Sequence, residues 1–430
     1  KKKKRGGVFL KKNIKTPLFL LYRKGVDFYT GIRRNKGDGK MNIRIYTMTH
    51  KKFEVPPDPM YVPLQVGRAV HEDLGYTGDD TGDNISAKNC YYSELTGLYW
   101  VWKNVKDTDY VGVCHYRRYL INEKGKVFTK GELEQILQKV DVITTKRVQL
   151  RYPYYEGYKA THHIENLDAT GEVIREMYPD YYPYFDRLVH GEETYFGNIM
   201  ICSKKLYDAY ADWLFSIFAE VEKRVDIDSY DDYHKRVFGF ISEILLLVWV
   251  RANRLSVYEC QVGMIGEKAE TREMKEKLAG YFERKDVAGA KTYFMERLKK
   301  RPDVLMEASD ITGELKLCMQ VIATCDREFG DRADNAVADG TESKTEKCVL
   351  DRGMSFAELM EYFRTLNAAV EAVRKGGDAK DVCSAFPWEQ VSDAAVYVAV
   401  RVLCTKPGEA EETMRRIPKN MACHLPESSV

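Results

Sequence analysis

The rhythm of apolar residues along this 430-residue chain changes near residue 266. Between 41 and 266, stretches with the two-residue alternation of strands exchange with stretches at the 3.6-residue spacing of helices. Beyond 266 no strand pattern recurs. In the first part the pattern predicts a strand over 42–49, a proline-marked loop (Pro56, Pro57, Pro59) and a short extended run over 61–66 ending at Gly67. Asp79, Asp80, Gly82 and Asp83 form a polar loop. A helix then starts between Ser86 and Asn89, with Tyr91, Leu95, Leu98, Trp102 and Val105 on one stripe. A small, β-branched run over 109–114 reads as a buried strand, completing a β-α-β unit. A helix over 129–138, a strand over 140–145, a tyrosine-bearing loop over 151–158 and a strand over 195–202 with Asn198 inside it follow. Two helices come next. One buries Leu206, Tyr210, Trp213, Leu214, Ile217 and Val221; the other holds Arg236, Phe240, Glu243 and Leu247. A last strand over 255–259 closes the unit. Helices are expected over 271–284 and 287–300 (Asp286 capping, Pro302 stopping), 355–373, 388–403 and 409–416, with a polar linker over 330–347.

This order describes an α/β domain over 41–266 and a helical region over 267–430, preceded by a basic leader over 1–40. In open α/β sheets ligands bind beyond the carboxyl ends of the strands. There the central strand delivers His115, Tyr116, Arg117 and Arg118. Guanidinium groups at such an edge suit a phosphorylated ligand, or else pair with surface carboxylates. Glu243 lies within an apolar stretch, so it is either paired, with Arg236 a turn or two away, or functional. No GxGxxG opens a helix and no GxxxxGK[ST] is present, which counts against dinucleotide and P-loop chemistry. His162 and His163 are adjacent and point different ways, so they make no metal site.

Composition sharpens this picture in three ways. Residues 1–40 hold 14 Lys and Arg against Asp27 and Asp38, so the net charge of +2 conceals an acidic remainder. That argues against a broad nucleic-acid surface on the folded part. The leader itself reads either as an arm for anionic lipid or as a poorly ordered tail, or as sequence upstream of a start at Met41. Ten cysteines without a CxxC pair read as reduced thiols of a cytoplasmic protein. No apolar run approaches the ~18–20 residues of a membrane span. The apolar runs at 8–10 and 18–22 are too short, and too interrupted by Lys, for a cleavable signal.

The runs Asp83-Asn84-Ile85, Lys88-Asn89, Tyr92 to Asn104 and Gly112-Val113-Cys114-His115-Tyr116-Arg117-Arg118-Tyr119 resemble the bacterial domain-of-unknown-function family 4422. The resemblance extends from about 42 to about 266 and includes Tyr195 to Met200 and Arg236, Gly239, Phe240 and Glu243. It implies a GT-A-like mixed sheet sandwiched by helices. It also implies a glycosyltransferase of capsular or exopolysaccharide assembly, working in the cytoplasm or at the inner face of the membrane. The expected donor is a nucleotide-diphospho-sugar and the acceptor a glycan or lipid-linked oligosaccharide. No cofactor is required by the residues, with Mg²⁺ or Mn²⁺ as the alternative. On this reading Thr49 and His50 border the nucleoside, and Asp83, Asn84, Lys88 and Asn89 meet the donor sugar or its diphosphate at a helix start. His115, Tyr116, Arg117 and Arg118 hold the departing diphosphate. Glu192 and Glu193 are the candidate base, and Tyr155, His163, Asn198 and Glu243 face the acceptor. The helical region serves as a dimer or partner contact, or simply covers the sheet. The rival expectation is a non-catalytic nucleotide-sugar or glycan binding module.

Overall fold

The computed structural model describes residues 41–305, 309–339, 348–377, 391–404, 406 and 408–417. The leader expected over 1–40 lies outside them. Strand β1 (Ile43–Thr49) is joined in parallel by β2 (Tyr61–Gln65), which carries β3 (Thr77–Gly78). The predicted single helix after the acidic loop is broken. A 3-10 turn (Ser86–Lys88) and α1 (Asn89–Tyr92) end at Ser93, whose φ of 50° cannot continue a helix, and α2 (Leu95–Asn104) restarts beyond it. The stripe of apolar residues survives the break because both pieces face the same core. Strand β4 (Tyr110–His115) then pairs in parallel with β1. A two-residue turn leads to β5 (Arg118–Ile121), a strand the sequence reading missed.

Helix α3 (Lys130–Leu137) is held by a capping box between Thr129 and Glu132. Then come β6 (Val142–Thr145) and β7 (Val148–Gln149). The tyrosine segment expected as a loop is α4 (Tyr154–Thr161), with Tyr154 and Tyr158 one turn apart and buried. Helices α5 (Ile164–Met177) and α6 (Tyr182–Val189) and strand β8 (Glu193–Thr194) lead to β9 (Met200–Ser203). The predicted strand over 195–202 is therefore only half a strand. Gly197 (φ 92°) and Asn198 (φ 51°) adopt left-handed turn conformations that no ladder accepts. Helices α7 (Lys204–Val221) and α8 (Val237–Ala252) and strand β10 (Val257–Met264) complete the unit.

The sheet runs β3-β2-β1-β4 in parallel. Strand β9 lies antiparallel against both β4 and β6, β6 pairs in parallel with β10, and β5 returns antiparallel to β10. Alternation along β1 and β4 sends Tyr46, Met48, Val111 and Val113 into the core under α2, α7 and α8. Ile43, Ile45 and Cys114 enter the core under α3 with Leu133 and Leu137. Helix α8 is apolar nearly all round and sits in the middle of the first core, so Glu243 is conspicuous there.

After β10 every described element is helical: α9 (Ala269–Glu283), α10 (Val287–Lys300, capped by Asp286), α11 (Glu314–Asp339), α12 (Phe356–Arg374, with a Ser355–Glu358 capping box), α13 (Asp393–Leu403) and α14 (Glu409–Arg416). Their core, from Met274 to Ile417, shares no residue with the cores flanking the sheet. The linker expected from 330 is helical as far as Asp339, and 340–347 lie outside the described residues. The same holds for the first residues of the helix predicted over 388–403. Among the described residues no helix is long and apolar enough to cross a membrane.

Gly112 fixes how closely β4 packs between its neighbours. A Cβ there would meet Ile45 Cγ1 at 2.9 Å and Ile201 Cγ1 at 3.0 Å. Gly112→Val forces both isoleucines off their positions. It is expected to cost about 1–3 kcal/mol, measured as a lower urea midpoint of the far-ultraviolet circular dichroism.

Candidate active site

Beyond the carboxyl end of β4, five segments converge: the end of β4, the start of β5, the 197–198 turn, the Ser93 break and the N-terminal half of α8. His115 ends β4 and its Nε2 donates to the Gly197 carbonyl at 2.5 Å. Glu243 Oε1 accepts the Gly197 N–H at 3.2 Å. Glu94 Oε1 accepts the Asn198 amide at 2.9 Å, and the same amide leans on the Gly239 carbonyl at 3.4 Å. Arg236 donates from Nε to Ser93 Oγ at 3.0 Å. Arg118 lies against the same turn, since a Cβ on Gly197 would stand 3.1 Å from its Nη1. Two carboxylates, two guanidinium groups and one imidazole thus surround one glycine–asparagine turn. Glu94, His115, Arg118, Arg236 and Glu243 are half-buried, so the cluster keeps an opening to solvent.

The two carboxyl groups are pushed apart. Burial raises Glu243, the negative Glu94 raises it further, and Arg118, the Gly197 N–H and Arg236 pull back only partly, leaving it at about 7. Burial opposes the charge on Glu94 too. There the His115 ring, the Asn198 amide and Arg236 prevail and hold it below the usual carboxylate range. Burial and the neighbouring Arg118 drive His115 down to about 4. At neutral pH the imidazole is therefore uncharged, with its proton on Nε2 toward Gly197 and its Nδ1 lone pair free of a proton. The expectation that His115 adds positive charge is corrected on this point. One of the paired acids is thus held ionised while the other titrates near neutrality.

The remaining expected residues are placed as follows. Arg117, in the turn before β5, donates to the carbonyls of Ile265 and Gly266 (Nη2 to Gly266 O, 2.9 Å), away from the partners of Arg118. Tyr116 packs edge-on against His50 (5.3 Å between ring centroids) and near Phe53. His50 keeps solvent contact as a residue, yet burial of its ring and the charges of Lys51 and Arg236 lower it to about 4. Thr49 is buried, with its hydroxyl bonded to the Lys51 carbonyl, so it shapes the turn rather than facing a ligand.

Of the helix-start group only Asn89 reaches the cluster, through Ser93. Asp83 takes the Tyr99 hydroxyl at 3.0 Å, and Asn84 caps Ser86. Lys88 pairs with Glu222 at 2.7 Å, and Asn89 braces the Ser93 carbonyl at 2.7 Å. Glu192 and Glu193 stand on the β7–β8 side, bonded to Gln149, Arg147 and Arg251, two turns of α8 away from Glu243. Tyr155 bonds Asp168 and stacks on His190. His163 stacks on Tyr230 at 3.8 Å. Its neighbour His162 stacks on Phe240 at 4.2 Å, and the Arg236 guanidinium lies over the same ring at 5.2 Å.

Glu94 and Arg236 are the residues whose site role the sequence reading missed. The available signal was the one that singled out Glu243, a charge set among apolar neighbours. The helix stripe drawn straight through Ser93 hid Glu94.

The raised Glu243 gives a stability test. The unfolded chain ionises this group near 4.5 and the folded one near 7, so the folded state holds the extra proton between those values. Stability contributed by the group is complete below about 4.5 and is lost as pH rises through 7. Urea unfolding of wild type and Glu243→Gln at pH 5 and pH 8 is expected to show the wild type losing stability relative to the variant at the higher pH.

Residues 44–254 match the family model described as "Domain of unknown function (DUF4422)". No curated protein matches the chain. Among solved structures, the chain is similar to the one titled "WbbM bifunctional glycosytransferase apo structure", at 29% identity and a TM-score of 0.49, over 53% of this chain and 46% of that one. The chain therefore spans less than half the length of that protein. Through residues 44–254, the chain belongs to the DUF4422 family.

Proposed function

We propose that the sheet domain is a GT-A-type glycosyltransferase acting on a nucleotide-diphospho-sugar, with a growing bacterial surface polysaccharide or lipid-linked oligosaccharide as acceptor. The observation that carries this reading is the cluster at the end of β4. It combines fixed cations with a carboxyl group that titrates at about 7. Arg118 and Arg236 face the departing nucleoside diphosphate, whose developing charge is the main cost of the reaction. Glu243 takes the proton of the acceptor hydroxyl while that oxygen bonds to the anomeric carbon. The bond from that carbon to the diphosphate oxygen breaks in the same event. Glu94 stays ionised and holds Asn198, so it positions the turn. The topology supports the reading as well, because the cluster lies beyond the carboxyl ends of the parallel strands. Cytoplasmic work close to the inner membrane face follows from such an acceptor.

A thermal-shift screen of nucleotide-sugars, with and without Mn²⁺ or Mg²⁺, identifies the donor. Release of nucleoside diphosphate then separates transfer from mere binding. Arg118→Ala is expected to lower turnover about 10²–10³-fold and Glu243→Gln about 10²–10⁴-fold, with the fold retained. Glu193→Gln is expected to leave turnover near wild type. The wild-type rate should climb as pH passes through about 7, and Glu243→Gln should lose that limb. Undiminished transfer by both cluster variants would refute the assignment.

A further inference from the structure

The helical region carries a second chemical cluster, remote in sequence from the first. Cys325 and Glu328 lie three residues apart on α11 and so share one face. Cys348 opens the short 3-10 turn Val349–Arg352 and brings its sulfur to 3.5 Å from that of Cys325. The two sulfurs and a Glu328 carboxylate oxygen all lie within 4.8 Å of one another. Both cysteines are buried, at 0% and 3% exposure.

We propose that Cys325, Glu328 and Cys348 bind a thiolate-seeking divalent cation, zinc foremost. The spacing is that of ligands around a common centre. Two sulfurs at ~2.3 Å from a tetrahedral zinc stand roughly 3.8 Å apart, near the observed separation and far from the ~2.05 Å of a disulfide. The donor set, two soft sulfurs and one carboxylate, selects zinc over magnesium or calcium. The carboxylate is held ready: Glu328 accepts the Val349 N–H at 3.0 Å and the Ser392 hydroxyl at 2.7 Å. A carboxylate has lone pairs beyond those two bonds, so orientation and ligation are compatible. Three protein ligands leave a fourth position for water. Ser392 caps α13, so the ion would tie α11, the 349–352 turn and α13 together inside one core.

The test uses the full chain, purified under reducing conditions. Metal content is measured by plasma emission, and Co²⁺ is titrated while the cobalt–thiolate charge-transfer band is followed. About one equivalent of metal and a clear band are expected. Cys325→Ser or Cys348→Ser should abolish the band, Glu328→Gln should weaken Co²⁺ affinity about 10–100-fold, and Cys404→Ser should change nothing. Because a serine variant can misfold, the wild type is also alkylated with and without Zn²⁺. The metal should slow modification of Cys325 and Cys348 and spare the rate at exposed Cys90. A wild type without band and without protection overturns the proposal. So does an intact mass two hydrogens lighter, with the two sulfurs joined.

Discussion

The structure turns on how a short left-handed turn is held among charges. Gly197 and Asn198 occupy backbone conformations outside the strand region, and three of their polar groups are met from elsewhere in the chain, while the buried Asn198 Oδ1 has no partner among the described residues. His115 meets the Gly197 carbonyl, Glu243 meets its N–H, and Glu94 meets the Asn198 amide. Each partner alone would be costly to bury. Together they hold the turn, and the charges of Arg118 and Arg236 act against those of the carboxylates. The constraint is mutual. The turn fixes the charges at the carboxyl end of β4, and the charges fix the turn.

Much of this was legible in the sequence, and the reasons are physical. The small, β-branched run of β4 had to be buried, so whatever followed it had to emerge at a sheet edge. His115 and Arg118 were found that way. Glu243 was found because a carboxylate in an apolar helix needs an explanation. What failed was direction. Arg117 lies in the turn before β5 and Arg118 on the strand, so the turn carries the first to the Ile265 and Gly266 carbonyls while the second lies against Gly197. Glu192 and Glu193 looked suitable because they precede a strand on a polar loop, yet that loop pairs with β7 and gives both acids to local partners. Glu94 required knowing that the helix breaks at Ser93, and no periodicity announces a break whose two halves face one core. Asn198 was placed in a strand because its flanks are apolar; only the fold shows the turn that makes it useful.

The two halves of the chain solve the burial problem differently. The sheet domain wraps α8, nearly all apolar, in aromatic side chains, with Ser242, Glu243 and Arg251 as its polar exceptions. The helical region relies on caps: Asp286, Ser355 and Ser392 each accept an N–H of the helix they precede. Rigidity in the first half comes from packing density around a few charges, and in the second from well-terminated helices sharing a smaller core.

Arg117 acquires a mechanical meaning from its position. Its guanidinium clasps the carbonyls of Ile265 and Gly266, and the Ile265 N–H returns a bond to its own carbonyl. The polypeptide leaves the sheet at that clasp to become the helical region. The route from the sheet into the helices is therefore pinned at the residue next to Arg118.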